Sequence, residues 1–460
     1  MMRMPDSKLH NRAESVGRNK GLVLVGVLWV VVLMSLIAVG MGRKSALNTK
    51  VSRADVDGVR CKWACRAGVE RAIAVLNDDY RTSDCLDDLW SSNESDFNNV
   101  SVKGSVFTVR VTDEAGKLNV NTASKEQLTG LEDITEEIAD AIMDWRDSDD
   151  ESQGGGAEVG YYRNLPFGYE ISNGPFRTIR ELLKVKGIDE VLLYGEDTNL
   201  NGKLDFNEKD GELSPPIDNE DSVLDRGLIS YLTCYSYESN VDGYGTERVN
   251  INEADEGELV ESLQITEGQA KWIVEKRGQN EFQSIADLID EKSPDRVEEE
   301  RDPGAEARPV PMDKATFKRI ADKITVTDNR TIPGRVNVNT APKEVLSALL
   351  GGDTSADTLA ENIVNYRQNK LNGFTSVAEL LDVSSFNLDN LKKIARFVTV
   401  RSNVYTVRSY SRADRRSLGV AYVSNLQAEA VVDRSGSSCR VLYWYQGPGV
   451  QHTSYIKQEK

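Results

Sequence analysis

The stretch whose residue types point most directly to chemistry is residues 197–208, with the sequence DTNLNGKLDFNE. It matches the twelve-residue EF-hand calcium loop, which takes oxygen ligands at positions one, three, five, seven, nine and twelve and a glycine at six. Gly202 stands at position six, and Leu204 provides the usual apolar anchor at position eight. The predicted metal ligands are Asp197, Asn199, Asn201, Lys203, Asp205 and Glu208.

Only three of these ligands, Asp197, Asp205 and Glu208, carry a negative charge. This composition predicts an extracellular type of site with a dissociation constant of about 10⁻⁴–10⁻³ M. Calcium would then be a structural cofactor that stiffens the surrounding insertion. The alternative interpretation is an asparagine-rich surface turn, since Asn and Asp side chains also hydrogen-bond their own backbone in turns.

A second acidic segment, DSDDESQGGGAEVGYY, begins at residue 147. We interpret it as a solvated loop. Its acidic residues are Asp147, Asp149, Asp150, Glu151 and Glu158.

Composition argues against both enzymatic and nucleic-acid-binding roles. The chain has 460 residues, a net charge of −18 and two histidines, His10 and His452, neither placed to join a buried triad or zinc site. The acidity repels a phosphate backbone over most of the surface. The cysteines number five, which is too few for a disulfide scaffold. We therefore predict that the protein is not an enzyme and binds no nucleic acid.

The acidic loops lie within a long helical region that contains one pattern three times. Each copy begins with a V/L-N-x-N-x-A motif, continues to an Ile-x-x-x-Arg motif and ends with a Phe-x-S/T-x-x-D/E-Leu motif. The opening motifs are residues 118–123, 249–254 and 336–341; the arginines are Arg146, Arg277 and Arg367; the closing motifs are residues 176–182, 282–288 and 374–380. Such repetition indicates internal duplication.

The repeats resemble helix-hairpin-helix modules, which hold a DNA phosphate with backbone amides of a glycine-rich hairpin. Here the first two hairpins, residues 131–135 and 263–266, lack glycine, and the third has Gly351-Gly352 followed directly by Asp353. A carboxylate has the wrong sign for a phosphate site. We interpret the repeats as packing modules; a membrane-anchored DNA-binding or DNA-uptake protein is the alternative.

Strand signals flank this helical region. Residues 100–111 alternate strictly, and further strands are predicted at 397–409, 419–432 and 440–446. Pieces of one sheet tend to pair even across a long insertion. We therefore predict an α+β fold, with a small antiparallel sheet and a large inserted all-α domain.

The N-terminal region supplies a long helix. Residues 22–41 contain no charge and no proline and are long enough to cross a bilayer as a helix. The segment before them is basic overall, which favours its location on the cytoplasmic side. The helix is predicted to run on to about Leu76 along a seam of small residues that suits close packing on a sheet or on neighbouring helices. Cys61 and Cys65 lie on that seam and are interpreted as packing residues rather than metal ligands.

Together these features resemble the minor pseudopilins of the protein K family of type II secretion systems. The resemblance spans nearly the whole chain. The segments that carry it are the leader ending in Gly21, LVLVGVLW at 22–29, CRAGVERAIAVL at 65–76, GKLNVNTA at 116–123, DWRDSDD at 144–150, GGAE at 155–158 and VNVNTAP at 336–342.

The resemblance implies a pilin-like domain on the long N-terminal helix, calcium in or near the inserted domain, cleavage by prepilin peptidase after Gly21 and N-methylation of Leu22. It also implies a single-pass inner-membrane protein with a periplasmic C-terminal domain, and assembly with minor pseudopilins of the I and J types. The expected divisions are leader 1–21, transmembrane segment 22–42, helix extension and first strand 43–115, inserted domain 116–396 (repeats 116–190, 246–292 and 334–385; calcium-loop insertion 191–237), remaining strands 397–446 and tail 447–460.

Two positions differ from the usual pilin pattern. Leu22 stands where pilins more often have phenylalanine or methionine, and Gly26 stands where ordinary pilins bury a glutamate that pairs with a neighbour's N-terminal amine. A subunit without that carboxylate suits the end of a filament, where it has neighbours on one side only. The large inserted domain would also obstruct stacking within a filament, so we predict that the protein sits at the tip.

Overall fold

One long helix, α1 (Lys20–Asp78), begins the described part of the chain. The structure is a computed structural model that describes residues 20–213, 215–295, 308–413 and 425–448. The chain divides into two compact units, Met1–Arg60 and Cys61–Lys460. Most of the predicted leader (1–19), most of the predicted tail (449–460) and both histidines lie outside the described residues.

In the first unit, α1 is the one helix of the described ranges that is long and apolar enough to cross a membrane. Its large apolar side chains between Leu22 and Met41 are all exposed. A helix satisfies its own backbone hydrogen bonds, so such a segment is compatible with a single membrane crossing.

The second unit contains a five-stranded sheet and a series of short helices. The helices after α1 are α2 (Leu89–Ser92), α3 (Glu94–Phe97), α4 (Lys125–Thr129), α5 (Glu136–Arg146), α6 (Val159–Arg163), α7 (Glu190–Tyr194), α8 (Glu256–Leu263), α9 (Glu267–Gln279), α10 (Lys314–Ile320), α11 (Lys343–Leu350), α12 (Thr354–Gln368) and α13 (Leu388–Ile394). Short 3₁₀ helices are Glu114–Gly116, Ile179–Lys184, Phe206–Glu208, Leu228–Ser230, Ile285–Leu288 and Val377–Asp382. The strands are β1 (Val100–Val102), β2 (Ser105–Asp113), β3 (Leu118–Asn119), β4 (Leu232–Thr233), β5 (Tyr237–Ser239), β6 (Val249–Asn250), β7 (Ile324–Thr325), β8 (Thr331–Pro333), β9 (Val336–Asn337), β10 (Val398–Thr399), β11 (Val404–Ala413), β12 (Asn425–Asp433) and β13 (Arg440–Pro448).

The main sheet has the order β1-β2-β11-β12-β13, and every neighbouring pair is antiparallel. The C-terminal part of α1 packs on one face of it through the predicted seam, where Cys61, Cys65 and Ala72 are fully buried. Gly68 permits the close approach, because a Cβ there would lie 2.9 Å from Cγ2 of Val109. The predicted α+β architecture is confirmed, and both cysteines of the seam are packing residues.

Two strand predictions were wrong in detail. Residues 100–111 form two strands joined at Lys103-Gly104, whose positive φ angles of 43° and 87° are typical of a tight hairpin turn. The strand predicted from residue 397 begins at Val404 instead, because Val398–Thr399 (β10) pairs with β9 of the inserted region. Residues 419–424 of another predicted strand lie outside the described residues.

Each repeat is closed by a parallel pair of two-residue strands that the sequence did not reveal. The opening motif supplies β3, β6 or β9, and these pair with β4, β7 and β10 respectively. The repeats therefore extend beyond the predicted ends at 190, 292 and 385. The predicted calcium-loop insertion, residues 191–237, contains the closing strand β4, and loop 197–208 lies before that strand.

The asparagine and arginine of the repeat hold its ends together. In the third repeat Asn339 Nδ2 donates to the Phe374 carbonyl at 2.8 Å, and its Oδ1 accepts from the Phe374 amide at 2.7 Å. Arg367 donates to the carbonyls of Val338 and Ala341 at 2.6 and 2.7 Å. The first and second repeats form equivalent bonds through Asn121, Arg146 and Phe176, and through Asn252, Arg277 and Phe282.

Glycines in or directly beside the hairpins serve contacts between repeats. A Cβ on Gly130 would lie 2.8 Å from Cα of Ala348, and one on Gly352 would lie 2.7 Å from Cα of Gly130. The Gly351 and Gly352 amides already donate to carbonyls of α11. The hairpin with the most glycine is thus packed against another repeat instead of open to a phosphate.

Candidate calcium-binding sites

The EF-hand-like loop follows α7, which ends at Gly195 with a positive φ of 61°. Gly195 forms an isolated antiparallel β-bridge with Arg226, so the two ends of the acidic segment 195–226, which contains the loop, meet. Asp197 organises the first half of the loop: its two carboxylate oxygens accept from the amides of Asn201 and Gly202 at 2.9 and 2.8 Å. This is the turn that a glycine at position six permits, since Gly202 has a φ of 64°.

The remaining predicted ligands converge from both halves of the loop. Asn199 Nδ2 donates to Asp205 Oδ2 and Glu208 Oε1, both at 3.1 Å, and Asn201 Nδ2 donates to Asp205 Oδ2 at 2.6 Å. Rotation of either amide turns its oxygen towards the carboxylates, which gives the all-oxygen donor set that calcium prefers. The exposed Lys203 side chain leaves its main-chain carbonyl as the donor for position seven.

The electrostatics of the loop favour a cation. Glu208 is 1% exposed, and burial raises its pKa to about 7, with Asp205 and Asp197 adding to the rise. A divalent cation among these groups would offset both the desolvation and the repulsion between carboxylates. The residues present therefore fit calcium.

A second carboxylate group involves the segment that we predicted to be a solvated loop. Oxygens of Asp144, Asp147 and Glu158 lie within 4.8 Å of one another. Asp144 is fully buried, and both Glu158 oxygens are buried with no hydrogen-bond partner among the described residues. The solvated-loop prediction was thus wrong for Asp147 and Glu158, because the chain folds back onto α5.

Backbone geometry produces this convergence. Asp144 lies in the last turn of α5, Asp147 caps that helix, and Glu158 directly precedes α6. Gly156 lets the returning chain reach Asp144, because a Cβ there would lie 2.7 Å from the Asp144 Cγ. Burial, together with the nearby Asp144 and Asp147 carboxylates, raises the pKa of Glu158 to about 7. The signal in the sequence was Asp144-x-x-Asp147 at a helix end, followed by a glycine run and a glutamate.

The other acidic residues that the structure describes do not add a third candidate. Asp149, Asp150 and Glu151 are exposed, as predicted for a solvated loop. Asp79, Asp84 and Asp88 also lie close together, but the Arg434 guanidinium is ion-paired with both Asp79 and Asp84 and already supplies the positive charge there.

Stability should depend on pH differently with and without calcium. In a chelator, raising the pH from about 5 to about 8 is expected to lower the melting temperature. Folded Glu158 and Glu208, each with a pKa of about 7, hold protons that unfolded carboxyls with an ordinary pKa release, so the folded state loses stability as pH rises between the two values. Calcium keeps these carboxylates ionised and should remove the loss.

The control is the double variant Glu158→Gln, Glu208→Gln, whose melting temperature in chelator should vary less with pH. Differential scanning fluorimetry of the full chain in detergent measures the melting temperature at both pH values, each with calcium and with chelator. Parallel pH profiles with calcium and with chelator would contradict calcium binding at both groups.

Comparisons with known proteins agree with the resemblance in the sequence. Residues 116–194 match the family model "Type II secretion system (T2SS), protein K", and residues 333–399 match "Helix-hairpin-helix motif". The first match contains Asp144, Asp147 and Glu158, and the second covers the third repeat.

Two curated relatives are both named type II secretion system protein K. The chain is 25% identical to the Pseudomonas aeruginosa protein over 298 residues, which are 59% of this chain and 76% of that relative. It is 25% identical to the Klebsiella pneumoniae protein over 203 residues, which are 38% of this chain and 60% of that relative, less than two thirds of its length.

A chain in the crystal structure of the GspK–GspI–GspJ complex from enterotoxigenic Escherichia coli is similar with a TM-score of 0.47 and 14% identity. That match covers 86% of this chain and 99% of the other. On the family model and the two curated relatives, this chain is similar to protein K of type II secretion systems.

Proposed function

We propose that the protein is a minor pseudopilin at the tip of the type II secretion pseudopilus, where it supports pseudopilus initiation and export across the outer membrane. The observation that carries this proposal is α1, whose apolar side chains from Leu22 to Met41 are exposed and whose end beyond Cys61 packs on the sheet. Such a helix can rest in a bilayer and later exchange lipid for partner helices, because both present an apolar surface to it.

The proposed orientation is a single pass of the inner membrane with the second unit in the periplasm. The basic residues of the leader (Arg3, Lys8, Arg12, Arg18 and Lys20) support it, because positive charges favour the cytoplasmic side. In the periplasm, calcium would be available to the two carboxylate groups. Its proposed role is structural, and no reaction is proposed for any residue.

Tip position and partners are part of the same proposal. Gly26 leaves no carboxylate within the membrane segment to pair with another subunit's amine. The proposed neighbours are minor pseudopilins of the I and J types. The similar E. coli chain comes from a structure of a complex that contains GspI and GspJ. Gold labelling of this protein along the length of assembled filaments, instead of at one end, would contradict the tip position.

Proteolytic processing provides the main test. Expressed with prepilin peptidase, the protein should have a mature N-terminus at N-methylated Leu22, and without the peptidase it should keep its leader. Gly21→Val should block cleavage, because the peptidase would meet a branched side chain at the scissile bond. Intact-mass spectrometry distinguishes these forms.

The control is a major pseudopilin cleaved in the same cells. If that protein is cut and this one is not, the pseudopilin proposal fails. A salt-dependent mobility shift with duplex DNA would instead favour the DNA-binding alternative, which the packing of Gly130 on Gly352 does not support.

A further inference from the structure

The back of the EF-hand-like loop rests on the face of the main sheet opposite α1. The Tyr410 hydroxyl of β11 lies 3.2 Å from the Asn199 carbonyl and 3.0 Å from the Leu200 carbonyl and donates to them. Tyr410 is separated from these residues by about half of the chain, so the contact joins the inserted region to the sheet.

A second strand contributes to the same contact. Arg110 of β2 is the register partner of Arg408, two residues from Tyr410 on β11. Its guanidinium lies against the loop glycine, since a Cβ on Gly202 would be only 2.6 Å from Arg110 Nη2. The sheet therefore touches the loop at positions three, four and six of the calcium-binding pattern.

These loop residues have two roles at once. The side chain of Asn199 points to the carboxylates of Asp205 and Glu208, while its carbonyl faces Tyr410. Leu200 and Gly202 both have positive φ angles, 57° and 64°, so the local backbone has little freedom to rearrange on one side without moving on the other. A change in the conformation of the loop on binding a cation would therefore also move the backbone atoms that the sheet contacts.

We infer that Tyr410, assisted by Arg110, is a positioning residue that couples calcium binding in loop 197–208 to docking of the inserted domain on the pilin-like sheet. Coupling between two equilibria is reciprocal: if the seated loop binds calcium better, calcium holds the loop on the sheet. The inference rests on the proposed calcium site, and it adds that the sheet sets the affinity of that site.

The test uses the full chain in detergent, in a Glu158→Gln background so that the loop reports alone. Calcium affinity is measured by isothermal titration for the background protein, for Tyr410→Phe and for Tyr445→Phe. Tyr410→Phe should weaken calcium binding about threefold to tenfold, the contribution of one hydrogen bond. Tyr445 lies on the exposed edge strand β13 and serves as the matched control, with unchanged affinity expected.

Thermal melting provides the second readout. The rise in melting temperature caused by calcium should be smaller in Tyr410→Phe than in Tyr445→Phe. A purely structural role of Tyr410 would instead lower the melting temperature equally with calcium and with chelator, and would leave the affinity unchanged. If Tyr410→Phe does not fold, Arg110→Lys, which keeps the charge but loses the planar group, takes its place.

Equal calcium affinities of Tyr410→Phe and the background protein would overturn the coupling while leaving the calcium site in place. Failure of the background protein to bind calcium would overturn both the coupling and the loop as a calcium site. Neither result affects cleavage at Gly21, so failure of the pseudopilin proposal would be recognised separately.

Discussion

Arg434→Met is expected to reduce the free energy of unfolding by about 3–5 kcal/mol, the usual loss when one partner of a buried ion network is removed. The Arg434 side chain is 2% exposed and is ion-paired with Asp79 at 2.7 Å and with the fully buried Asp84. These contacts join the segment after α1 to the end of β12. Methionine would fill much of the volume but leave two carboxylates without their cation.

The loss should also depend on pH. Burial raises the pKa of Asp79 to about 6 and raises that of Asp84, and Arg434 opposes both shifts. Without the arginine the folded carboxyls bind protons more readily than the unfolded ones, so stability should fall further as pH rises, and the defect should be larger near pH 8 than near pH 5. Denaturant unfolding followed by tryptophan fluorescence measures it.

Arg440→Met is the matched control. Arg440 also pairs with an aspartate, Asp433 at 3.2 Å, but its side chain is 74% exposed. Exposed pairs contribute only about 0–1 kcal/mol, so little change is expected. Similar losses in the two variants would show that Arg434 does not hold the segment through buried charge.

Arg367→Gln is expected to cost about 2–4 kcal/mol, because it removes the long, charged guanidinium that donates to two buried carbonyl acceptors, those of Val338 and Ala341. Arg367 is 9% exposed and has no carboxylate partner in the part of the chain that the structure describes, and burial lowers its pKa to about 10. It therefore stays protonated at neutral pH and serves as a donor to the backbone. Unfolding in denaturant, as for Arg434, measures the loss.

The equivalent arginine of the second repeat, Arg277, provides the comparison. It donates to the Ile251 and Ala254 carbonyls at 3.0 and 2.7 Å but is only partly buried. Water can replace some of its hydrogen bonds, so Arg277→Gln should cost less than Arg367→Gln. The reverse order would contradict the assignment of the repeat arginines as buried backbone donors.

Several features could be predicted from the sequence because they depend on local spacing. The apolar segment of α1 and the seam that carries Cys61 and Cys65 follow from helical periodicity. The three repeats were visible because their asparagine, arginine and phenylalanine recur together, and these residues bond within one repeat. The EF-hand pattern likewise fixes a turn by itself, since Asp197 accepts amides only a few residues away.

Other features were decided by tertiary structure. Strands β4, β7 and β10 are two residues long and exist only because a distant opening motif pairs with them. The Lys103-Gly104 turn was readable in principle, but continuous alternation of the flanking residues concealed it.

The carboxylates of Asp144, Asp147 and Glu158 could not be grouped from spacing alone, because a loop brings Glu158 back to the end of α5 and Gly156 makes room for it. The same holds for Tyr410 and the calcium-type loop, which meet across about half of the chain. The apolar segment of α1, the repeats and one candidate calcium loop are predictable from the sequence, because each is specified by neighbouring residues. The grouping of the carboxylates and the contact between that loop and the sheet depend on the folded chain, because they join residues whose separation along the chain carries no periodic signal.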